Sequence, residues 1–231
     1  MNVRAIGVDG CRGGWLCVAN HAGRFDAWIS ADIDSILTRS GPGALIGIDM
    51  PIGFAQSTGR ACDTAARALL QHRHPCVFSP PVRAALSADT YAEACRINQE
   101  VCGNKITKQA FALYRKLREV DQFVCSRLEL RASILEVHPE VSFALWRGSP
   151  MPHRKKSSQG RTDRTELIEG SWPGLIERLR GELPRGGYGA DDLLDALAAL
   201  WSTMRFANRT HKAFPETPEL DERNLRMQIV G

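Results

Sequence analysis

One stretch constrains this chain more than any other: Arg4-Ala5-Ile6-Gly7-Val8-Asp9, running straight into Gly10-Cys11-Arg12-Gly13-Gly14-Trp15. A short apolar strand that ends in an acid and meets a glycine-rich turn holds a carboxylate at the edge of a sheet, on rigid scaffold. Any catalytic chemistry in the chain is expected to converge on Asp9.

The rest of the chain reads as the surroundings of that strand. Residues 3–9, 16–19 and 25–30 form three consecutive strands, a meander. A short helix over 34–39 is closed by Gly41-Pro42-Gly43. Ala44-Leu45-Ile46-Gly47-Ile48-Asp49 is a continuous apolar run of the kind buried on both faces; it also ends in Asp, and Pro51 stops it. From about residue 56 to 131 the period becomes helical, with Thr107 as a cap ahead of Ala110, Leu113, Leu117, Val120 and Val124. Strand character returns over 132–137, a weaker helix follows over 164–180, and the strongest helix spans 191–206. With 231 residues, at roughly 150 per domain, the expectation is one α/β domain over 1–210 with a helical insertion at about 56–131. Residues 211–231 are polar and proline-containing, and are expected to be a loosely held tail.

Composition excludes several classes. Apolar content of 43% with 24% charged residues is that of a globular protein. No apolar run approaches the roughly 18 residues of a membrane span, and no hydrophobic signal core opens the chain, so a cytoplasmic protein without membrane association is expected. Seven cysteines, an odd number in a chain of this size, suit reduced packing thiols. The formal charge of +4 is concentrated in residues 153–164, where Arg154, Lys155, Lys156, Arg161 and Arg164 face one acid, Asp163. Such a loop can steer a phosphate-bearing partner, or be a solvated loop.

The last helix carries the second clue. At 100° per residue, Asp192, Asp195, Ala196, Ala199 and Thr203 share one face, opposite Leu193, Leu197, Leu200, Trp201 and Met204. The small face permits close approach to a sheet and carries carboxylates into that contact. Capping accounts for Asp191, and the helix dipole for an acid in the first turn. Asp195 lies beyond the cap on the face expected to be buried, where an unpaired carboxylate is costly. Acids at two strand ends and one helix start suit hard divalent cations, Mg²⁺ or Mn²⁺, which take oxygen ligands and serve phosphodiester hydrolysis in pairs. If Glu136-Val137-His138-Pro139-Glu140 is extended, Glu136, His138 and Glu140 share a face and either join that site or form a strand-end network; His138 suits proton transfer. Cys62, His72, His74 and Cys76 are zinc-ligand types at no zinc spacing.

Gly7 to Trp15, Ile48-Asp49-Met50-Pro51-Ile52-Gly53, Arg60 to Arg67, Val77 to Arg83, Lys108-Gln109, Glu119-Val120-Asp121, Glu136 to Phe143 and Asp191 to Ala199 together resemble the domain of unknown function 429 family, predicted RNase H-like nucleases. The acid arrangement is similar to Holliday-junction resolvases of the RuvC type. The resemblance implies an RNase H-like mixed sheet flanked by helices, Asp9 as central metal ligand, Asp49 as the second, and Asp195 with Asp192 closing the site. The second acid of the resolvases is usually Glu; Asp49 is one methylene shorter. The expected function is metal-dependent cleavage of DNA or RNA, assisted by Asp192 and Glu136, with Arg12, Lys155 and Lys156 on substrate phosphate, the oligomeric state being left open with a homodimer as one option. The alternatives are a phosphotransferase whose Gly10–Gly14 turn wraps ATP phosphate, as in actin-like sugar kinases, and a nucleic-acid-binding module without turnover.

Overall fold

A computed structural model describes residues 3–57 and 59–231 of the chain. The chain opens with β1 (Ala5–Cys11), β2 (Gly14–His21) and β3 (Arg24–Ser30), followed by α1 (Ile33–Ser40) and β4 (Leu45–Ile48). The insertion carries α2 (Ala61–Leu70), α3 (Tyr91–Cys102), α4 (Lys108–Ala112) and α5 (Tyr114–Ser126) before the chain returns as β5 (Ile134–Val137). Then come α6 (Pro139–Arg147), α7 (Ser158–Ser171), α8 (Leu175–Glu182), α9 (Ala190–Ala207), β6 (Ala213–Leu220) and β7 (Arg226–Val230).

One mixed sheet runs in the order β3-β2-β1-β4-β5-β7-β6. The meander is antiparallel, β1, β4, β5 and β7 are parallel, and β6 returns antiparallel on the edge. Helices cover both faces, the architecture expected of strands that read as apolar runs. The RNase H-like mixed sheet with a helical insertion between the fourth and fifth strands is therefore the observed fold. On one face Ile6, Val8, Ile46 and Ile48 pack with Leu117, Val120 and Phe123 of α5. On the other, Leu16 and Val18 pack with Leu193, Leu197 and Leu200 of α9.

The close approach of α9 follows from two glycines. Gly7 and Gly47 are register partners on β1 and β4. A methyl group on Gly7 would overlap the Ala196 carbonyl and the Leu200 backbone, and one on Gly47 would overlap the Thr203 hydroxyl. The small face read from the sequence is thus the face laid on the sheet, and no side chain larger than hydrogen fits beneath it.

Three expectations need correction. Residues 211–231 are not a loose tail: Met227 and Ile229 alternate inward against Cys62, Ala66 and Leu70 of α2, and β7 pairs with β5. Asp221 anchors that return by accepting N–H bonds from Phe54 at 3.1 Å and Leu225 at 2.9 Å, together with the Arg83 guanidinium. The single helix expected over 164–180 is two, α7 and α8, separated at Pro173-Gly174, where Gly174 has φ of 72°. Thr107 does cap a helix, accepting from Ala110 N–H at 3.1 Å, but that helix is the short α4.

Candidate functional site

Side-chain alternation places the acids. Ile6 and Val8 point to the insertion side, so Gly7 and Asp9 point to α9; Ile46 and Ile48 leave Gly47 and Asp49 facing the same way. Asp49 N–H donates to Val8 O at 2.8 Å, which continues the pairing one residue past β4 and levels the two acids on neighbouring parallel strands. Asp195 precedes Ala196, the residue seated on Gly7. Register and close packing therefore bring the three carboxylates to one cavity, with no loop needed to carry them. Asp9 and Asp49 lie at the carboxyl ends of the parallel strands β1 and β4, beside the turn where the chain reverses direction from β1 into β2.

The cluster is short of positive charge. Asp9 is 8% exposed and Asp195 3%. Gly10 N–H donates to Asp9 Oδ1 at 2.8 Å, and Asp49 lines the same cavity. Burial, then the charges of Asp49, Asp195 and Asp192, raise Asp9 well above the usual carboxylate range. Burial pushes Asp49 and Asp195 each up to about 6, with Lys155 working against the rise. Lys155 Nζ bonds Asp195 Oδ2 at 2.7 Å. Burial disfavours its charge, but Asp195 and Asp49 outweigh that and push its pKa up. Three acids against one ammonium leave a formal charge of −2 at the floor of the site.

These residues line a cavity of about 320 Å³. One wall is a second charge cluster. Arg60, 2% exposed, donates to both Glu136 oxygens at 2.7 and 2.8 Å and to both Asp63 oxygens, while Ile52 N–H donates to Glu136 Oε2 at 2.7 Å. Glu136 is thus in the site but committed to Arg60. Glu140 also reaches the cavity, though not by an extended path: Pro139 starts α6, because its ring presets the helical φ and its missing N–H costs nothing at a first position. Arg164 Nη2 donates to both Glu140 oxygens at 2.8 and 2.7 Å and Arg73 adds a third bond at 3.1 Å. His138 sits at the turn between strand and helix; burial lowers its pKa, and its ring Nε2 lies 3.4 Å from Cys76 O.

Other expected residues are placed differently. Asp192 accepts from Gly189 N–H at 2.7 Å, so it caps α9 from within, and the cap position belongs to Gly189, two residues before Asp191. Arg12 and Lys156 are exposed and do not line the cavity. Arg164, counted with the basic loop, is 1% exposed and bound to Glu140. Gly13 N–H donates to Gly187 O at 2.6 Å, which closes the β1–β2 turn against the loop ahead of α9. Cys62, His72, His74 and Cys76 do not gather. Among the described residues the one group with metal-ligand spacing is Cys62, Asp63 and Glu136, and the Arg60 guanidinium already binds both of its acids.

Sequence reasoning missed Arg60, Asp63 and Lys116. Lys116, on α5, lies 4.0 Å from the centre of the Trp15 ring, donates to Gly14 O and covers Gly10, where a methyl group would come within 2.9 Å of its Cδ. Burial lowers its pKa. No local pattern marks Lys116, since the insertion alone brings it to the turn. A signal was present for the two strand acids: Gly7-Val8-Asp9 and Gly47-Ile48-Asp49 repeat one pattern, glycine under the helix and acid two residues on.

By chemistry the donor set suits a hard divalent cation, three carboxylates offering oxygen donors only, although their oxygens stand farther apart than the 4.8 Å that the Cys62, Asp63 and Glu136 group meets. The family model described as "Protein of unknown function (DUF429)" matches residues 7–220. No curated protein and no solved structure matches the chain. Among the described residues, no helix is long and apolar enough to cross a membrane.

Proposed function

Because the chain belongs to the DUF429 family, whose description assigns no activity, we propose its function from the site itself: hydrolysis of phosphodiester bonds in DNA or RNA with Mg²⁺ or Mn²⁺. The observation that carries the reading is the convergence of Asp9, Asp49 and Asp195, from two adjacent strands and one helix, on the floor of one cavity, where together with Lys155 they carry a formal surplus of two negative charges. Burying such a surplus is costly without a cation. Asp9, Asp49 and Asp195 would hold the metal. When bound, it supplies Lewis acidity toward a phosphoryl oxygen and lowers the pKa of water.

The chain's own groups have separable roles. Lys155 holds Asp195 in place and offsets part of the cluster's charge, in place of the free phosphate contact expected of it. Arg60 holds Glu136 and Asp63 turned into the wall, although burial still raises the Glu136 pKa to about 7. His138 lines the cavity with its ring Nε2 against Cys76 O and is the imidazole placed there for proton transfer. Lys116 faces the same cavity and is the second cation available to an anionic substrate.

Asp9→Asn is the decisive variant. It removes one ligand charge with little change of shape, and Mn²⁺-dependent cleavage of a mixed DNA and RNA panel is expected to fall by about a thousandfold or more, since several kcal/mol of charge stabilisation is lost. Unchanged cleavage by a folded Asp9→Asn protein would sink the reading.

A further inference from the structure

The same cavity limits how a nucleic acid can present its phosphate. We propose, building on the nuclease reading, that the substrate enters as the free end of a single strand, one nucleotide inserting into the cavity, rather than as the interior of a duplex.

The first ground is depth. Asp9 and Asp195, 8% and 3% exposed, form a floor and not a rim. A phosphate has to enter the cavity to meet them, and about 320 Å³ is the lower end of the range for small-molecule pockets. The phosphates of a duplex stand in rows along both backbones, each with neighbours on either side, about one charge per 3.4 Å of helix axis on each strand. A terminal nucleotide can leave the stack at low cost; an internal one needs unpairing and room for chain on both sides.

The second ground is that the covering wall is pinned. The Pro75–Phe78 segment of the insertion lies over the site, and Arg67 binds Val77 O through Nε at 3.1 Å and Nη2 at 3.0 Å while reaching Ser79 Oγ at 2.8 Å. His138 meets the same segment at Cys76 O. On the opposite side Lys116 is held by Gly14 O and the Trp15 ring. A wall tied at these points is part of the resting fold.

The third ground is the composition of the lining. Phosphate alone asks for cations and donors, yet Met50, Pro75, Val77, Phe78 and Leu113 line the cavity together with the acids and Lys155. A nucleotide has both halves: a base to lie on half-buried Phe78 and a phosphate for the charged floor. In the reaction, water oxygen bonds to phosphorus, the bond from phosphorus to the leaving sugar oxygen breaks, and that oxygen takes a proton. The products are one mononucleotide and a chain one unit shorter.

Two measurements on the full chain test this. With Mn²⁺, a linear single-stranded DNA should be shortened from one end to mononucleotides, while a covalently closed single-stranded circle of the same sequence should resist by about a hundredfold or more. A circle cut as fast as the linear strand overturns end entry and leaves the nuclease reading standing. Calorimetry with dTMP and Mn²⁺ is the second measurement: wild type should bind, Phe78→Ala about tenfold more weakly, and Phe78→Trp as well as wild type. If no polymer is cut, the nuclease reading fails; dTMP binding that depends on residue 78 then still supports a nucleotide-sized occupant, and absence of dTMP binding overturns it.

Discussion

Two kinds of buried charge meet in this molecule. In one kind every acid has an arginine: Glu136 and Asp63 share Arg60, Asp121 and Asp221 share Arg83, and Glu140 is held by Arg73 and Arg164. In the other, Asp9, Asp49 and Asp195 share one lysine. Guanidinium forks match carboxylates two bonds at a time and lock geometry. A single flexible ammonium neutralises one charge and leaves the rest for something else. The matched clusters hold the insertion and the C-terminal strands to the sheet; the unmatched one faces a cavity. The difference separates acids that build the fold from acids set aside for a ligand, although Asp9 and Asp195 are as buried as the matched acids and only Asp49 is half-buried.

That distinction can be broken at the matched clusters first. Arg60→Ala strands two buried carboxylates, and denaturant unfolding is expected to register a loss of about 3–5 kcal/mol; a loss below about 1 kcal/mol would mean the pairing is not what holds that wall. Next comes the packing that brings the unmatched acids together. Gly7→Ala forces α9 away from β1, with an expected loss of about 3 kcal/mol, the upper end for overpacking, and a fall in Mn²⁺ affinity by calorimetry. Full stability with unaltered Mn²⁺ binding would contradict the close approach.

The unmatched cluster should respond to its missing cation. Mn²⁺ at about a hundred times its Kd is expected to stabilise wild type by about 2.7 kcal/mol, and to leave Asp9→Asn nearly unchanged in the same thermal scan. Equal stabilisation of both would place the metal elsewhere. The smallest effect is a pH response of opposite sign at Asp195 and at Asp221. Asp195, raised to about 6 by burial, binds a proton more readily folded than unfolded, so metal-free protein should gain stability as pH falls from 7 toward 4. For Asp221 burial pushes upward, but bonds from Leu225 N–H, Arg83 and Phe54 N–H outweigh it and hold the pKa below the usual range. Its contribution is present above about pH 4 and lost below it as the folded carboxyl takes its proton. Asp195→Asn should flatten the first limb and Asp221→Asn the second; a wild-type curve that only falls on acidification would refute the assignment of opposite signs.

Much of the site was legible because it depends on local pattern. A strand ending in Asp9, another ending in Asp49 and a helix with Asp195 on its small face are each readable within ten residues or so, and their period fixes which face each acid takes. The basic loop misled for the opposite reason. Charge counts along a chain do not distinguish Lys155, on Asp195, from Arg164, under Glu140, or from Lys156 in solvent. The tail was misread because two inward residues, Met227 and Ile229, are a weak signal until β5 and α2 supply the surfaces they bury against.

Sequence by itself determined the sheet's first half, the insertion and the identity of the three converging acids, since alternation and helical period dictate direction without reference to distant partners. Tertiary structure alone decided which of the other charges are spent. Whether Glu136 is a ligand or an arginine's partner, and whether Lys116 reaches the Asp9 turn, depends on contacts between residues 76 and 102 positions apart. Electrostatic energy follows distance in space, and a buried charge is satisfied or left over according to neighbours that only the folded chain provides.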